Sequence, residues 1–141
     1  MYKVAFVGAS EIFTDDEERD VRQFCERTIK TFPSNVVIIS GGAEGVDKIA
    51  IEIAKKLGYE TQVYSPKKKK WEPPTKDGYK ARNTQIANEC NELFCIAVPY
   101  HHVKCYHHEK PQDHEKTAGC FTLNLAQIQN KPVKFLVAQK R

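Results

Sequence analysis

Apolar positions along this chain alternate between two rhythms. Two short runs, KVAFVG (3–8) and NVVIISG (35–41), are rich in Val and Ile and each ends on glycine, the pattern of buried parallel strands. ETQVYS (60–65), LFCIAV (93–98) and PVKFLVA (132–138) read as three further strands. Between them the apolar spacing turns helical. In DDEERDVRQFCERTIKTF (15–32) it falls on Val21, Phe24, Cys25, Thr28, Ile29 and Phe32, with acids in the first turn opposing the helix dipole. GVDKIAIEIAKKLG (45–58) is a second helix stopped by Gly58, GYKARNTQIANECNE (78–92) a third and AGCFTLNLAQIQ (118–129) a fourth. Pro73-Pro74 bars regular structure from the loop between Pro66 and Asp77.

Strands alternating with helices predict an α/β fold: a three-layer α/β/α Rossmann-like domain around a five-stranded parallel sheet. Right-handed crossovers place every strand-to-helix loop at one edge, and ligands of such sheets bind at that edge where strand order reverses. For the common order 3-2-1-4-5, the crevice lies between the first and fourth strands. Four segments then share its rim: Gly8–Thr14, Gly41–Gly45, the proline-containing loop, and the stretch after the fourth strand. The whole chain, 1–141, reads as one domain with a His/Cys-rich insert at 99–117.

Composition changes the picture in two places. The net charge is +4, yet residues 65–82, SPKKKKWEPPTKDGYKAR, carry seven basic and two acidic side chains, which leaves −1 for the other 123 residues. A single basic loop favours one anionic ligand over a long nucleic-acid track. The five cysteines are odd in number and dispersed, which excludes a disulfide framework as the organising feature. No apolar run approaches the ~20 residues of a spanning helix. MYKVAFVGAS is too short in its apolar part for a signal peptide, so the expected location is cytoplasmic.

The most informative stretch is VVIISGGAEGVDKIA. A strand ends at Ser40, Gly41 and Gly42 permit a tight turn with close backbone approach, and a helix begins near Gly45. Backbone N–H groups at such a helix start can face an anion. The pattern is neither GxGxxG nor the phosphate loop ending in Lys-Ser/Thr. In the first loop Gly8 ends the strand, and Ser10 either donates to a ligand or caps the next helix.

VIISGGAEGVDKIAIEIAKKLG, ARNTQIANECNELFCIAV and TAGCFTLNLA together resemble the SLOG superfamily, the Rossmann-like proteins related to DprA and LOG. Within it the sequence is most similar to the small stand-alone YspA/YpsA-like branch. The resemblance spans nearly the whole chain. It rests on the G-G-A-x-G-x-D turn (Gly41, Gly42, Ala43, Gly45, Asp47) and on the pair Arg82-Asn83 opening the third helix; Trp71 resembles an aromatic of that family's third loop. The resemblance implies a pocket for a nucleotide or nucleotide-derived small molecule, lined by these motifs and a last glycine turn; with the first loop, the end of the second strand and the start of the fourth helix, the candidate lining is Gly8, Ser10, Ser40, Gly41, Gly42, Ala43, Gly45, Asp47, Arg82, Asn83, Thr117 and Gly119. It also implies a homodimer. Arg82 offers a fork of donors for phosphate, or else pairs with a surface acid. Asn83 can both donate and accept. Asp47 either bonds a ribose hydroxyl or ties down its turn.

LOG-type relatives hydrolyse the N-glycosidic bond of nucleotides with a last motif like P-G-G-x-G-T-x-x-E. With Thr122 at the motif threonine, Leu125 stands at the glutamate position and Ala118 at the first glycine, so that hydrolysis lacks its acid. Binding is therefore expected ahead of a nucleotide-processing hydrolase, whether N-glycosidic or metal-assisted. DprA-type relatives bind single-stranded DNA, and Lys67-Lys68-Lys69-Lys70-Trp71 combines charge with a stacking ring as such binders do.

All five histidines fall within HHVKCYHHEKPQDHEKTAGC (101–120), beside Cys105 and Cys120. Cys105, His108, His114 and Cys120 give C-x2-H-x5-H-x5-C, a set with the tetrahedral N/S donors that zinc takes, and His107 substitutes for His108. A closed set is structural and pins the loop. A three-residue set leaves an open position for metal-assisted hydrolysis. A polar loop with exposed histidines is the remaining alternative. Cys25, Cys90 and Cys95 fall on apolar positions and read as core.

Overall fold

The computed structural model of the chain describes residues 1–9, 14–67, 78–97 and 118–137. Five strands alternate with four helices: β1 (Lys3–Gly8), α1 (Asp15–Ile29), β2 (Val37–Ser40), α2 (Val46–Lys56), β3 (Glu60–Val63), α3 (Tyr79–Glu89), β4 (Glu92–Ala97), α4 (Ala118–Ile128) and β5 (Val133–Val137). All pairings are parallel, as the alternation predicts, and the order is β3-β2-β1-β4-β5, the order common to this fold class. Strand order reverses between β1 and β4, which pair from Val4 opposite Glu92 to Gly8 opposite Ile96.

Period-two alternation divides the sheet's side chains between two cores. Val4, Phe6, Ile38 and Ile96 pack on one face with Val21, Cys25 and Ile29 of α1 and the apolar face of α2. There Phe6 and Phe94 stack at 5.1 Å between ring centroids. Ala5, Val7, Ile39, Leu93 and Cys95 pack on the other face with Ile86 and Ala87 of α3 and Leu123 and Ala126 of α4. Both faces of β1 and β2 are therefore dry, which is why these strands read as nearly continuous apolar runs.

Helix ends follow local chemistry. Thr14 caps α1: its hydroxyl accepts from the Glu17 N–H at 3.0 Å while the Glu17 carboxylate accepts from the Thr14 N–H at 3.2 Å, a reciprocal capping box. Helix α2 starts at Gly45, at φ 87°, with no side-chain cap. Helix α3 is tied to the sheet at both ends by Tyr64. The Tyr64 carbonyl accepts from Arg82 Nη1 at 3.3 Å, and its hydroxyl donates to Glu89 at 2.6 Å. Lys3 joins Glu89 at 3.0 Å. No helix among the described residues is long and apolar enough to cross a membrane.

Candidate functional site at the C-terminal sheet edge

The end of β1 sets the site's floor. A Cβ on Gly8 would stand 2.0 Å from the Ile96 carbonyl oxygen, so only glycine lets β1 and β4 approach this closely. Beyond it the Ala9 N–H donates to the Ile96 carbonyl, and the Ala9 carbonyl accepts from the Val46 N–H, both at 2.9 Å. The turn after β2 is thereby fastened to the tip of β1.

That turn is held from two sides. Asp47, in the first turn of α2, accepts from the Gly41 N–H at 3.2 Å. Arg82, from α3, donates through Nη1 to the Gly41 carbonyl at 2.7 Å. The guanidinium lies so close over the glycine that a Cβ on Gly41 would come within 2.6 Å of Nη1. An acid from one helical layer and a base from the other thus grip the same residue. The sequence left Asp47 two roles, and the geometry displays the turn-fastening one. Ser40 is wholly buried, and its hydroxyl donates to the Phe6 carbonyl at 2.6 Å.

Burial sets the electrostatics. Asp47 is 6% exposed, and desolvation pushes its carboxyl up to about 6, against the pull of Arg82 and of the backbone N–H groups of Ala43 and Gly41. Desolvation lowers the Arg82 guanidinium, and the charge of Asp47 holds it up. An arginine remains cationic through such a shift, so the edge carries a buried positive charge. Its fork is partly committed: Nε donates to Asn83 Oδ1 at 2.8 Å and Nη1 to the Gly41 and Tyr64 carbonyls, which leaves Nη2 as the arm without a partner among the described residues. Asn83 is 3% exposed, and its Nδ2 is buried without a hydrogen-bond partner.

Of the sequence-predicted residues, the structure brings Gly8, Ser40, Gly41, Asp47, Arg82 and Asn83 into this arrangement. Gly42, Ala43 and Gly45 continue the turn into α2, and Gly119 lies in the first turn of α4. Ser10 and Thr117 lie outside the described residues, as do Lys68–Trp71 and the zinc set Cys105, His107, His108 and His114. Cys120 lies in the first turn of α4, with its side chain outside them too. Among the described residues no cluster of His, Cys, Asp and Glu is arranged to hold a metal. Leu125, at the glutamate position of the hydrolase motif, packs against the α3/α4 core. Two contributors escaped the sequence reading. Tyr64 receives Arg82, and the Tyr79 ring lies 5.6 Å from its guanidinium carbon. Tyr79 was findable, because it precedes Arg82 by three residues and so shares its helix face; nothing local signals Tyr64.

A separate polar depression of about 350 Å³ lies between α1 and α2, lined by Glu18, Arg22, Glu44, Lys48 and Glu52 among others. Its charges answer one another: Arg22 pairs with Glu18 and Glu52, and Lys48 with Glu44. It offers a bound ion little unspent charge.

No protein-family model matches the chain, and no curated protein matches it. Solved structures do. The chain is similar to TM1055, with a TM-score of 0.62 and 17% identity over 94% of this chain and 72% of that one. It is also similar to DNA processing protein A (DprA) from Streptococcus pneumoniae, with a TM-score of 0.51 and 18% identity over 98% of this chain and 59% of that one. The likeness shows a shared Rossmann-like α/β/α fold, the architecture that the alternation of strands and helices predicts.

Proposed function

We propose that this SLOG-type fold binds a nucleotide or nucleotide-derived small molecule at the C-terminal edge of the sheet, between the Gly41 turn and the start of α3. The observation that carries the reading is the buried pair Arg82–Asn83: a cation with an arm to spare beside an amide donor with no partner. Burying such groups costs stability, and a ligand with anionic and hydrogen-bonding parts repays it. Binding fits better than N-glycosidic hydrolysis, because Leu125 stands where the hydrolase motif needs a glutamate and Asp47 is occupied by the Gly41 turn.

The test is calorimetric titration with a panel of mononucleotides against wild type and Arg82→Lys. Lysine keeps the charge and loses the fork. Wild-type binding weakened at least about tenfold in the variant is expected, on the scale of one charge-assisted hydrogen bond. A panel that binds nowhere sinks the reading.

A second reading, single-stranded nucleic-acid binding, draws on the lysine run before Trp71 and on the likeness to a protein named for DNA processing. An oligonucleotide added to the same titration separates the two. Affinity falling steeply with salt marks the backbone-binding mode, and salt-tolerant mononucleotide binding marks the pocket.

A further inference from the structure

Asn83 carries information about the ligand that its residue type alone does not. Arginine Nε is a donor only, so the Asn83 side-chain atom 2.8 Å from it is the oxygen. Turning the amide over would set N–H against N–H. Arg82 is itself held on the Gly41 and Tyr64 carbonyls, so Nε stays in place and keeps the amide oxygen turned toward it. The oxygen is spent, and Nδ2, buried on a residue 3% exposed, lacks a partner. Buried donors are nearly always satisfied, and this one lies beside the site.

We propose that Asn83 sets the polarity of the ligand: Nδ2 donates to an acceptor atom of the bound molecule, and the position rejects a ligand that presents a donor there. The inference rests on the nucleotide-pocket reading and adds to it a requirement on the ligand's chemistry. Two parts of a nucleotide supply such an acceptor, a phosphate oxygen and a carbonyl or ring nitrogen of the base.

Asn83→Asp is the discriminating variant. It keeps the Oδ1 that Arg82 needs and exchanges the free donor for an acceptor of the same size. The probes are the four common ribonucleoside monophosphates, their nucleosides, and ribose 5-phosphate, titrated into wild type and variant with thermal melting as the folding control. The folded variant should lose at least about 30-fold in affinity, the scale of a buried donor–acceptor contact turned into acceptor against acceptor. Loss with the uncharged nucleosides assigns the acceptor to the base, and loss confined to the phosphate-bearing probes that persists at high salt, where repulsion by the added charge is screened, assigns it to phosphate. A folded variant with unchanged affinity overturns the proposal; a resident water on Nδ2 gives that result. If the wild type binds no probe, the pocket reading itself falls and this inference with it. Should Asn83→Asp fail to fold, wild type labelled with ¹⁵N-asparagine decides. The Asn83 amide protons must gain exchange protection when the probe is added, and unaltered signals overturn the assignment.

Discussion

Asp47 is a carboxyl whose surroundings oppose its charge more than they support it. Its acidity is pushed from 3.8 up to about 6 by burial, which outweighs the Gly41 N–H and the Arg82 cation. Below the unfolded value both states are protonated and the residue costs nothing. As pH climbs from about 4 to 6, the unfolded chain releases the proton and the folded one retains it, so stability falls with rising pH. Above pH 6 the full cost applies, about 3 kcal/mol for a shift of this size. Asp47→Asn keeps an oxygen for the Gly41 N–H and removes the titration. Urea denaturation at pH 3.5 and pH 7 should show the variant gaining roughly 2–3 kcal/mol on wild type across that interval, over a constant offset from exchanging a protonated carboxyl for an amide. Wild type gaining on the variant would refute this. The sequence displayed the G-G-A-x-G-x-D spacing but left Asp47 between ligand and turn. Its role depends on helix α2 folding back to put residue 47 at 3.2 Å from residue 41, a distance that spacing alone does not specify.

Among the elements, strands and helices were legible to within a few residues because each follows one strong local rule. Val37–Ser40 is a four-residue strand buried throughout, and α1 and α2 show helical apolar faces. Helix α3 is the exception that matters. Its buried residues are Arg82, Asn83, Ile86 and Ala87, so periodicity alone would have turned the first two toward water. Motif resemblance singled them out; hydrophobic pattern could not, because a buried polar pair breaks the rule the pattern relies on. The capping box of α1 was likewise unread, though T-x-x-E is its usual sequence form. Thr14→Ala deletes the acceptor for the Glu17 N–H and should destabilise the protein by about 1 kcal/mol. In a chain of this length that amounts to a fall of roughly 3–4 °C in melting temperature, read by circular dichroism. A fall confined to α1, seen as faster hydrogen exchange there without a shift in melting, would show that α1 opens independently of the rest.

For the whole molecule, alternation and handedness predict a parallel sheet and leave its order to the fold class, and the observed reversal between β1 and β4 is what brings the Gly41 turn and α3 to one edge. The five cysteines extend this argument to the segment beyond β4. Cys25 and Cys95 are buried with thiols pushed up to about 12, and burial raises Cys90 as well, so none of the three supplies reactive thiolate in the folded protein. Rapid alkylation of the native protein, followed by intact mass, therefore counts Cys105 and Cys120 alone. With the zinc set C-x2-H-x5-H-x5-C filled, no thiol should label until a chelator is added, after which two label quickly and the other three only in denaturant. Two labels without chelator would rule out zinc on these cysteines while leaving the core assignment intact. More than two would show that at least one of Cys25, Cys90 and Cys95 is reached without unfolding, which the two-layered core does not permit.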